Sequence, residues 1–421
     1  MNLFEEFQWR GMVAEVTDGL AEALAKERVT AYIGFDPTAS SLHVGNMLTV
    51  MGLARLQKFG HTPIAIVGGG TGMIGDPSGK SQERNLLSAE QIAINVAGVR
   101  VQLERFLDFH AATNAAQIIN NAEWLGAIDL LTYLRDVGKH FTVNYMLQKE
   151  SVSRRLESTD GISYTEFSYL VLQAFDYLQL FDRHHCTLQM GGTDQWGNIT
   201  AGIELIRKVR GQKAHGLVWP LMKTAAGTKF GKTEAGTVWL DPRRTSPFRF
   251  YQFFLNTDDR DVIGYLKAFT WLDRPMIDAL EKTVTEAPEQ REAQRTLARE
   301  VTTMVHGTGE LEKAERASKV LFGGPLADAS IDDILMVFDD VPSVEMSAAA
   351  LTAMSNSALV AHVGLAASKG EAGRLIKQGG IYLGDRRVTD DRAPATLDDS
   401  IGGKVMVLRK GQRDRRIVKI V

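Results

Sequence analysis

Val29-Thr30-Ala31-Tyr32-Ile33-Gly34-Phe35-Asp36-Pro37-Thr38, followed three residues later by Leu42-His43-Val44-Gly45-Asn46, is the stretch that decides the fold. The apolar and β-branched run over residues 29–35 predicts a short buried strand, and Asp36-Pro37 turns it. Residues 43–58 then place Leu48, Gly52, Leu53 and Leu56 at helical spacing. The same alternation continues outward. Residues 63–67 read as a second strand, 89–109 as a long amphipathic helix and 117–119 as a third strand. Residues 164–180 read as a helix apolar nearly all round, 187–190 as a strand and 195–210 as a helix. Strands alternating with helices predict an α/β fold on a parallel sheet with right-handed crossovers. Ligands of such sheets bind at the carboxyl ends of the strands.

A chain of 421 residues exceeds what one hydrophobic core usually serves, so two or three domains are expected. The single cysteine, Cys186, excludes an internal disulfide framework and a multi-cysteine zinc site, and fits a reducing cytosol. The opening residues carry neither the basic start nor the apolar run of a secretory signal, and no run is long enough to span a bilayer. Residues 250–350 turn helical and charged, as a separate helical domain would. Val341-Pro342-Ser343 and Met354-Ser355-Asn356 read as a linker, and a compact unit of helix, turn and short strands follows from Ala358. From Lys369 onward thirteen Lys and Arg face seven Asp and Glu, a balance of +6 that leaves −9 for the rest of a chain of net charge −3. A basic end on an acidic body suits a polyanion; a solvated face has the same composition.

Five polar clusters fall at the expected strand ends. In the first, a helix start offers free N–H groups and a positive dipole end to a phosphate. Thr38, His43 and Asn46 add donors, and Gly45 lets a flat base approach the backbone; a plain helix cap fits the same residues. The second runs from Gly68-Gly69-Gly70-Thr71-Gly72 to Gly75-Asp76-Pro77-Ser78-Gly79-Lys80. Gly70, Gly72 and Gly75 have dinucleotide-fingerprint spacing, but Asp76-Pro77-Ser78-Gly79 interrupts the helix that fingerprint must open. The segment ending at Lys80-Ser81 is one residue short of a phosphate-binding loop. What remains is a glycine loop carrying Asp76, Lys80 and Arg84.

In the third, Tyr169, Gln173 and Asp176 share one face of an apolar helix. An unpaired buried polar group costs about 1–3 kcal/mol, so either another side chain or a small zwitterion with a hydroxyl must pair them. In the fourth, Gly192-Thr193-Asp194-Gln195 follows a strand, and Asp194 suits a ribose hydroxyl or a helix cap. The fifth, Lys229-Phe230-Gly231-Lys232-Thr233, lies between Gly227 and Gly236 and can swing onto a triphosphate or form a solvated basic loop.

Together these residues resemble the class I aminoacyl-tRNA synthetases, with His43-Val44-Gly45-Asn46 similar to the first class signature and Lys229 to Thr233 similar to the second. Tyr32-Ile33-Gly34-Phe35-Asp36-Pro37-Thr38, Gly75 to Lys80, and Tyr169, Gln173 and Asp176 followed by Gly192 to Asn198 narrow the likeness to the bacterial-type tyrosyl-tRNA synthetases. The resemblance implies a Rossmann-like catalytic domain over residues 1–228. It further implies the signature lysine loop with an α-helical anticodon-arm domain over 229–350, and a small α+β RNA-binding domain over 355–421. Residues 358–388 are similar to the RNA-binding domain of ribosomal protein S-four.

It also implies a cytoplasmic homodimer, away from membranes, acting on L-tyrosine, ATP and tRNA(Tyr). Tyrosine is first joined to AMP with release of pyrophosphate, then passed to the 3'-terminal adenosine of the tRNA. Thr38, His43, Lys80, Arg84, Lys229, Lys232 and Thr233 would act on the phosphates, with Mg2+ on the triphosphate and no protein-bound metal. Tyr32 and Asp176 would hold the phenol hydroxyl, and Asp76, Tyr169 and Gln173 the ammonium, with Gln195 bordering them. Gly34, Asp36, Gly45, Asn46, Gly192 and Asp194 would line the nucleotide. Two positions depart from the family pattern: Asn46 replaces a second His and carries no titratable charge, and Ile33 replaces a common Cys and cannot hydrogen-bond a ribose. The rival readings are a tryptophan enzyme of the same class, a nicotinamide dehydrogenase and a non-catalytic RNA-binding relative.

Overall fold

Six short strands build the sheet that positions the site: β1 (Glu15–Val16), β2 (Thr30–Phe35), β3 (Thr62–Val67), β4 (Gln117–Asn120), β5 (Cys186–Gly192) and β6 (His215–Trp219). The computed structural model describes residues 2–78, 87–157, 161–233, 236–321, 331, 334, 341–411 and 414–421. They divide into two units, Met1–Thr245 with Phe253–Val305, and Ser246–Gln252 with His306–Val421. The sheet belongs to the first unit, in the order β1-β6-β5-β2-β3-β4. Strands β2 to β6 are parallel, and β1 closes the edge antiparallel to β6. The chain steps outward from β2 to β4, then returns to lay β5 on the other side of β2. That reversal opens a crevice between the carboxyl ends of β2 and β5, where such sheets bind ligands.

The sequence pattern locates β2 to β5 but not β1 or β6. β1 is two residues long and pairs with β6 about two hundred residues on, while β6 itself is a five-residue strand parallel to β5. The helix expected from residue 43 begins as a tight turn, Val44–Asn46, and becomes α-helical over Met47–Lys58. The helix expected over residues 89–109 ends at Leu103. The Gln57 amide explains the early stop, since it donates to the Asp108 carbonyl at 2.6 Å and accepts from the Asp108 N–H at 2.9 Å, holding that chain in a loop.

The long helix Tyr164–His184 starts at Ser163, whose hydroxyl accepts from the Glu166 N–H at 3.2 Å, and ends at His185 in the left-handed conformation. Its Leu170, Ala174, Tyr177 and Leu178 join Tyr32, Ile64 and Ile66 in one core. Each large apolar side chain buried this way contributes about 1.5–3 kcal/mol. Arg55, on Met47–Lys58, is wholly buried and donates to the carbonyls of Ala268 at 2.8 Å, Thr270 at 2.8 Å and Lys267 at 3.1 Å. It thereby caps the helix Asp259–Phe269, whose final carbonyls lack partners within the helix.

In the second unit, Ser343–Met346, Ile381–Leu383, Arg386–Arg387, Val405–Lys410 and Asp414–Ile420 form a five-stranded sheet. Side chains alternate across it. Met406, Leu408 and Val418 pack toward Leu359, Val360, Ala372 and Ile376 of the helices Asn356–His362 and Lys369–Lys377. Val405, Val407 and Ile417 face a second cluster. The linker expected at Val341-Pro342-Ser343 is corrected here: Ser343–Met346 is a strand, parallel to Asp414–Ile420. Its partner lies some seventy residues on, so no local pattern announced it. Among the described residues no helix is long and apolar enough to cross a membrane.

Candidate active site

The helix Tyr164–His184 walls the crevice between β2 and β5 and lowers a buried carboxylate toward it. Asp176, 3% exposed, accepts from Trp124 Nε1 at 2.7 Å and from Asn121 Nδ2 at 2.9 Å. Asn121 is held in turn, accepting from the Gly70 N–H at 2.8 Å and donating its other amide hydrogen to Thr71 Oγ1 at 3.0 Å. The Thr71 hydroxyl donates to Asp36 at 3.0 Å, and Tyr169 donates to the other Asp36 oxygen at 2.9 Å. One hydrogen-bonded path therefore runs from Asp176 to Asp36. Burial pushes the Asp176 carboxyl up to about 7, against the lowering effect of its two donors.

Tyr32, 1% exposed, meets Tyr177 edge-on with ring centroids 5.2 Å apart. Its hydroxyl has no hydrogen-bond partner among the described residues, nor has Oε1 of Gln189, its partner in the sheet register. Buried orphans of this kind are uncommon in folded proteins and call for an explanation. Burial and the nearby Asp176 hold the Tyr32 phenol well above its ordinary pKa, so it stays protonated.

A second group lies at the other end. Asp76 accepts from the Ser78 N–H at 2.8 Å and from Gln195 Nε2 at 2.7 Å. Gln195 Oε1 accepts from Gln173 Nε2 at 3.1 Å, and Gln173 Oε1 accepts from Asn198 Nδ2 at 3.0 Å. The Tyr169 hydroxyl has given its hydrogen to Asp36 but keeps lone pairs for an ammonium donor.

Gly34 is exposed near the carboxyl end of β2, with no atom within 4 Å of where a Cβ would stand, so the strand is open on that side. Thr38 is exposed beyond the turn, while Ile33 is buried. Gly192 ends β5, and Asp194 lies in the turn Thr193–Gln195 that follows. Asn46 Oδ1 accepts from the His43 N–H at 3.1 Å, and the His43 ring faces Trp239 at 5.9 Å. A Cβ on Gly45 would lie 2.9 Å from that ring. The bareness of Gly45 thus makes room for the imidazole.

Gly231, at φ +85°, brings the second signature against the first, since a Cβ there would lie 2.7 Å from Val44 Cγ2 and 3.1 Å from the Gly45 nitrogen. Val44 N–H donates to the Val238 carbonyl at 3.0 Å and Leu240 N–H to the Leu42 carbonyl at 2.9 Å, closing the junction. Lys229 and Lys232 are exposed on either side of it. Thr233 is described in its backbone only, and Lys80 and Arg84 lie outside the described residues.

The family model "tRNA synthetases class I (W and Y)" matches residues 24–323, and "Tyrosine--tRNA ligase SYY-like C-terminal domain" matches residues 333–418. The chain is 56% identical to the tyrosine–tRNA ligase of Roseiflexus castenholzii, covering 100% of this chain and 99% of that one. It is 50% identical to the tyrosine–tRNA ligase of Geobacillus stearothermophilus, with 100% of both covered. The chain belongs to the class I tyrosine–tRNA ligases. A C-terminally truncated mitochondrial tyrosyl-tRNA synthetase of Aspergillus nidulans superposes with a TM-score of 0.70 at 31% identity, over 76% of this chain and 94% of that one. A tyrosyl-tRNA synthetase of Archaeoglobus fulgidus, solved with L-tyrosine, shares the fold at a TM-score of 0.54 and 16% identity, over 74% of this chain and 99% of that one.

For a tyrosine–tRNA ligase, the sequence reading overlooked Asn121, Trp124, Thr71 and Gln189. The available signal was position: Asn121 directly follows β4 at its carboxyl end, and Trp124 lies in the short helix Ala122–Leu125 just beyond. Nothing local linked either to Asp176, more than fifty residues later.

Proposed function

We propose that the chain activates L-tyrosine with ATP and transfers it to the 3'-terminal adenosine of tRNA(Tyr), using the residues gathered at the β2–β5 crevice. The observation that carries the residue assignment is the unpartnered Tyr32 hydroxyl within electrostatic reach of Asp176. A phenol guest donates to Asp176 and accepts from Tyr32; phenylalanine leaves both short of a partner in a dry pocket, which is how binding turns into selectivity. The ammonium meets Asp76, the Tyr169 oxygen and Gln173, with Gln195 fixing Asp76. The nucleotide lies over Gly34 between Asp36 and the Gly192–Asp194 turn.

The tyrosine carboxylate is ionised at neutral pH, so its attack on the α-phosphate requires no general base. The protein's work is alignment and neutralisation of charge on the departing pyrophosphate. Thr38, His43 and Asn46 at one helix start, Lys229, Lys232 and Thr233 on the facing loop, and Lys80 and Arg84 are the groups available for it. Mg2+ would enter as part of the nucleotide substrate, on phosphate oxygens. The basic C-terminal end meets the tRNA.

The active form is a cytoplasmic homodimer. Leu130, Leu131, Leu134, Val143, Leu147, Leu156 and Tyr164 are all exposed large apolar side chains from one part of the first unit, with Leu131 at 77% and Tyr164 at 75%. A second copy of the chain is a fitting cover for exposed apolar side chains of this size.

Amino-acid-dependent exchange of labelled pyrophosphate into ATP tests the proposal. Exchange is expected with tyrosine alone. Exchange with tryptophan would overturn the roles of Tyr32 and Asp176, and no exchange with any amino acid would overturn the activity.

A further inference from the structure

We propose that Asn95 and Gln102, on the helix Ala89–Leu103, are positioning residues of the adenylation step, which hold from behind the connection that presents Thr38 and His43 to the phosphates. The inference rests on the activity proposed above. Neither residue belongs to a signature or to a polar cluster of the sequence. Asn95, Gly98 and Gln102 recur at helical spacing, so they lie along one face of that helix. Asn95 and Gln102 are both buried, where a side-chain amide must find partners. Both find them in residues 37–42, between the end of β2 and the first signature. Asn95 Nδ2 donates to the Pro37 carbonyl at 2.8 Å, while its Oδ1 accepts from Gln91 Nε2 at 3.0 Å. Gln102 Oε1 accepts from the Leu42 N–H at 2.7 Å, and its Nε2 donates to Ser41 Oγ at 2.9 Å. Between the two amides Gly98 is bare, and a Cβ there would collide with the Ser40 carbonyl oxygen.

The bonds fall on two particular peptides. The Pro37 carbonyl belongs to the peptide that carries the Thr38 N–H. The Ser41 hydroxyl, held by Gln102, donates to the Leu42 carbonyl at 2.7 Å, in the peptide that carries the His43 N–H. Thr38 and His43 are therefore each the first residue after a peptide whose plane the helix fixes. Among the described residues, 38–42 make no backbone hydrogen bond to one another, so the connection takes its shape from the helix beside it. A small turn of either peptide plane moves the side chain that follows, and the step is governed by alignment of charges.

A buried polar strip that only stabilises the fold would leave the chemistry of folded molecules alone. The experiment separates the two roles with full-length wild type, N95L, Q102M, G98A and V99A. N95L and Q102M keep much of the side-chain volume and lose the hydrogen bonds. V99A weakens the packing of the same helix at a buried apolar position. Tyrosine-binding sites are counted by equilibrium dialysis, and single-turnover adenylate formation at saturating ATP is then measured per site. N95L and Q102M are expected to form adenylate at least about tenfold more slowly, with a tyrosine Kd within about twofold of wild type, while V99A keeps the wild-type rate. N95L/T38A is no slower than the slower of its single variants, because Asn95 acts through Thr38. A wild-type rate in either N95L or Q102M, a tyrosine affinity falling in step with the rate, equal slowing in V99A, or losses that multiply in N95L/T38A overturns the proposal. In G98A the alanine favours the helix while its methyl displaces the Ser40 carbonyl, so the step slows in the same way. If N95L or Q102M does not fold, G98A carries the same expectation and the same refutation. A wild-type chain that forms no adenylate overturns the activity itself, whereas fully active variants beside an active wild type overturn only the role of the strip.

Discussion

Removing one oxygen atom from Tyr32 will make the free protein more stable and the enzyme less selective. Tyr32 is 1% exposed, and its hydroxyl has no partner among the described residues. A buried hydroxyl left unsatisfied costs about 1–3 kcal/mol, whereas the phenyl ring of Tyr32→Phe keeps its edge contact with Tyr177. Taking the low end, because small shifts relieve part of the penalty, the variant gains about 1 kcal/mol, or about 2–4 °C in Tm for a unit of this size. It also loses a neutral hydrogen bond to the substrate phenol. Such a bond is worth about 0.5–1.5 kcal/mol, a factor of about 2–13 in preference for tyrosine over phenylalanine. Urea unfolding without ligand, followed by tryptophan fluorescence, measures the first effect. The ratio of kcat/KM for tyrosine and phenylalanine in pyrophosphate exchange measures the second. A variant less stable than wild type by about 1 kcal/mol or more would show that Tyr32 is already paired in the free protein, and an unchanged preference would remove it from the phenol site.

Tyrosine binding should depend on pH through Asp176. The substrate phenol donates to an ionised carboxylate, so with a free-enzyme pKa of about 7 affinity falls up to about tenfold per unit below that value and levels off above it. Titration calorimetry from about pH 5.5 to 8 checks this, and a flat profile would falsify it. The stability contribution runs the other way. The folded pKa lies above the unfolded one, so protonated Asp176 favours the fold at low pH and that contribution is lost as pH rises through about 7. Lys232→Ala is expected to slow adenylate formation more than tenfold with tyrosine Kd within twofold; lost tyrosine binding with an intact chemical rate contradicts its phosphate role. Deleting residues 341–421 should spare exchange and abolish efficient tRNA charging, and full charging by the shortened chain would make the C-terminal unit dispensable. Leu131→Asp, at a 77% exposed position, should give a monomer by sedimentation without unfolding the chain, and a persistent dimer would place the interface elsewhere.

The opening strand and turn were legible because a class of side chains at fixed spacing is a local property. Tyr32, Asp36, His43 and Asn46 could be read in one glance along Thr30–Phe35 and the residues after it. The face shared by Tyr169, Gln173 and Asp176 was legible for the same reason, since helical geometry converts spacing into direction. What stayed hidden depends on contacts between distant segments. Asn121 and Trp124 bind Asp176 from beyond β4, β1 pairs with β6, and Ser343–Met346 waits for Asp414–Ile420. Gly45 and Phe230 show a subtler limit: that Gly45 makes room for the His43 ring, and that the Phe230 ring stacks on Phe269, are contacts the residue types alone did not announce.

The hydrogen-bonded path from Asp176 through Asn121 and Thr71 to Asp36 has a consequence for redesign. Choice of amino acid and handling of the nucleotide are usually treated as separate dials. Here they share a spindle. Exchanging Asp176 for an apolar residue to admit a larger or hydroxyl-free substrate releases the Asn121 amide, which also holds the Gly70 N–H and the Thr71 hydroxyl. The disturbance then reaches Asp36 and the glycine loop leading to Asp76, so a new side-chain preference arrives with a slower reaction for every substrate. A workable redesign leaves an acceptor of the same shape at position 176, or rebuilds Asn121 in the same step.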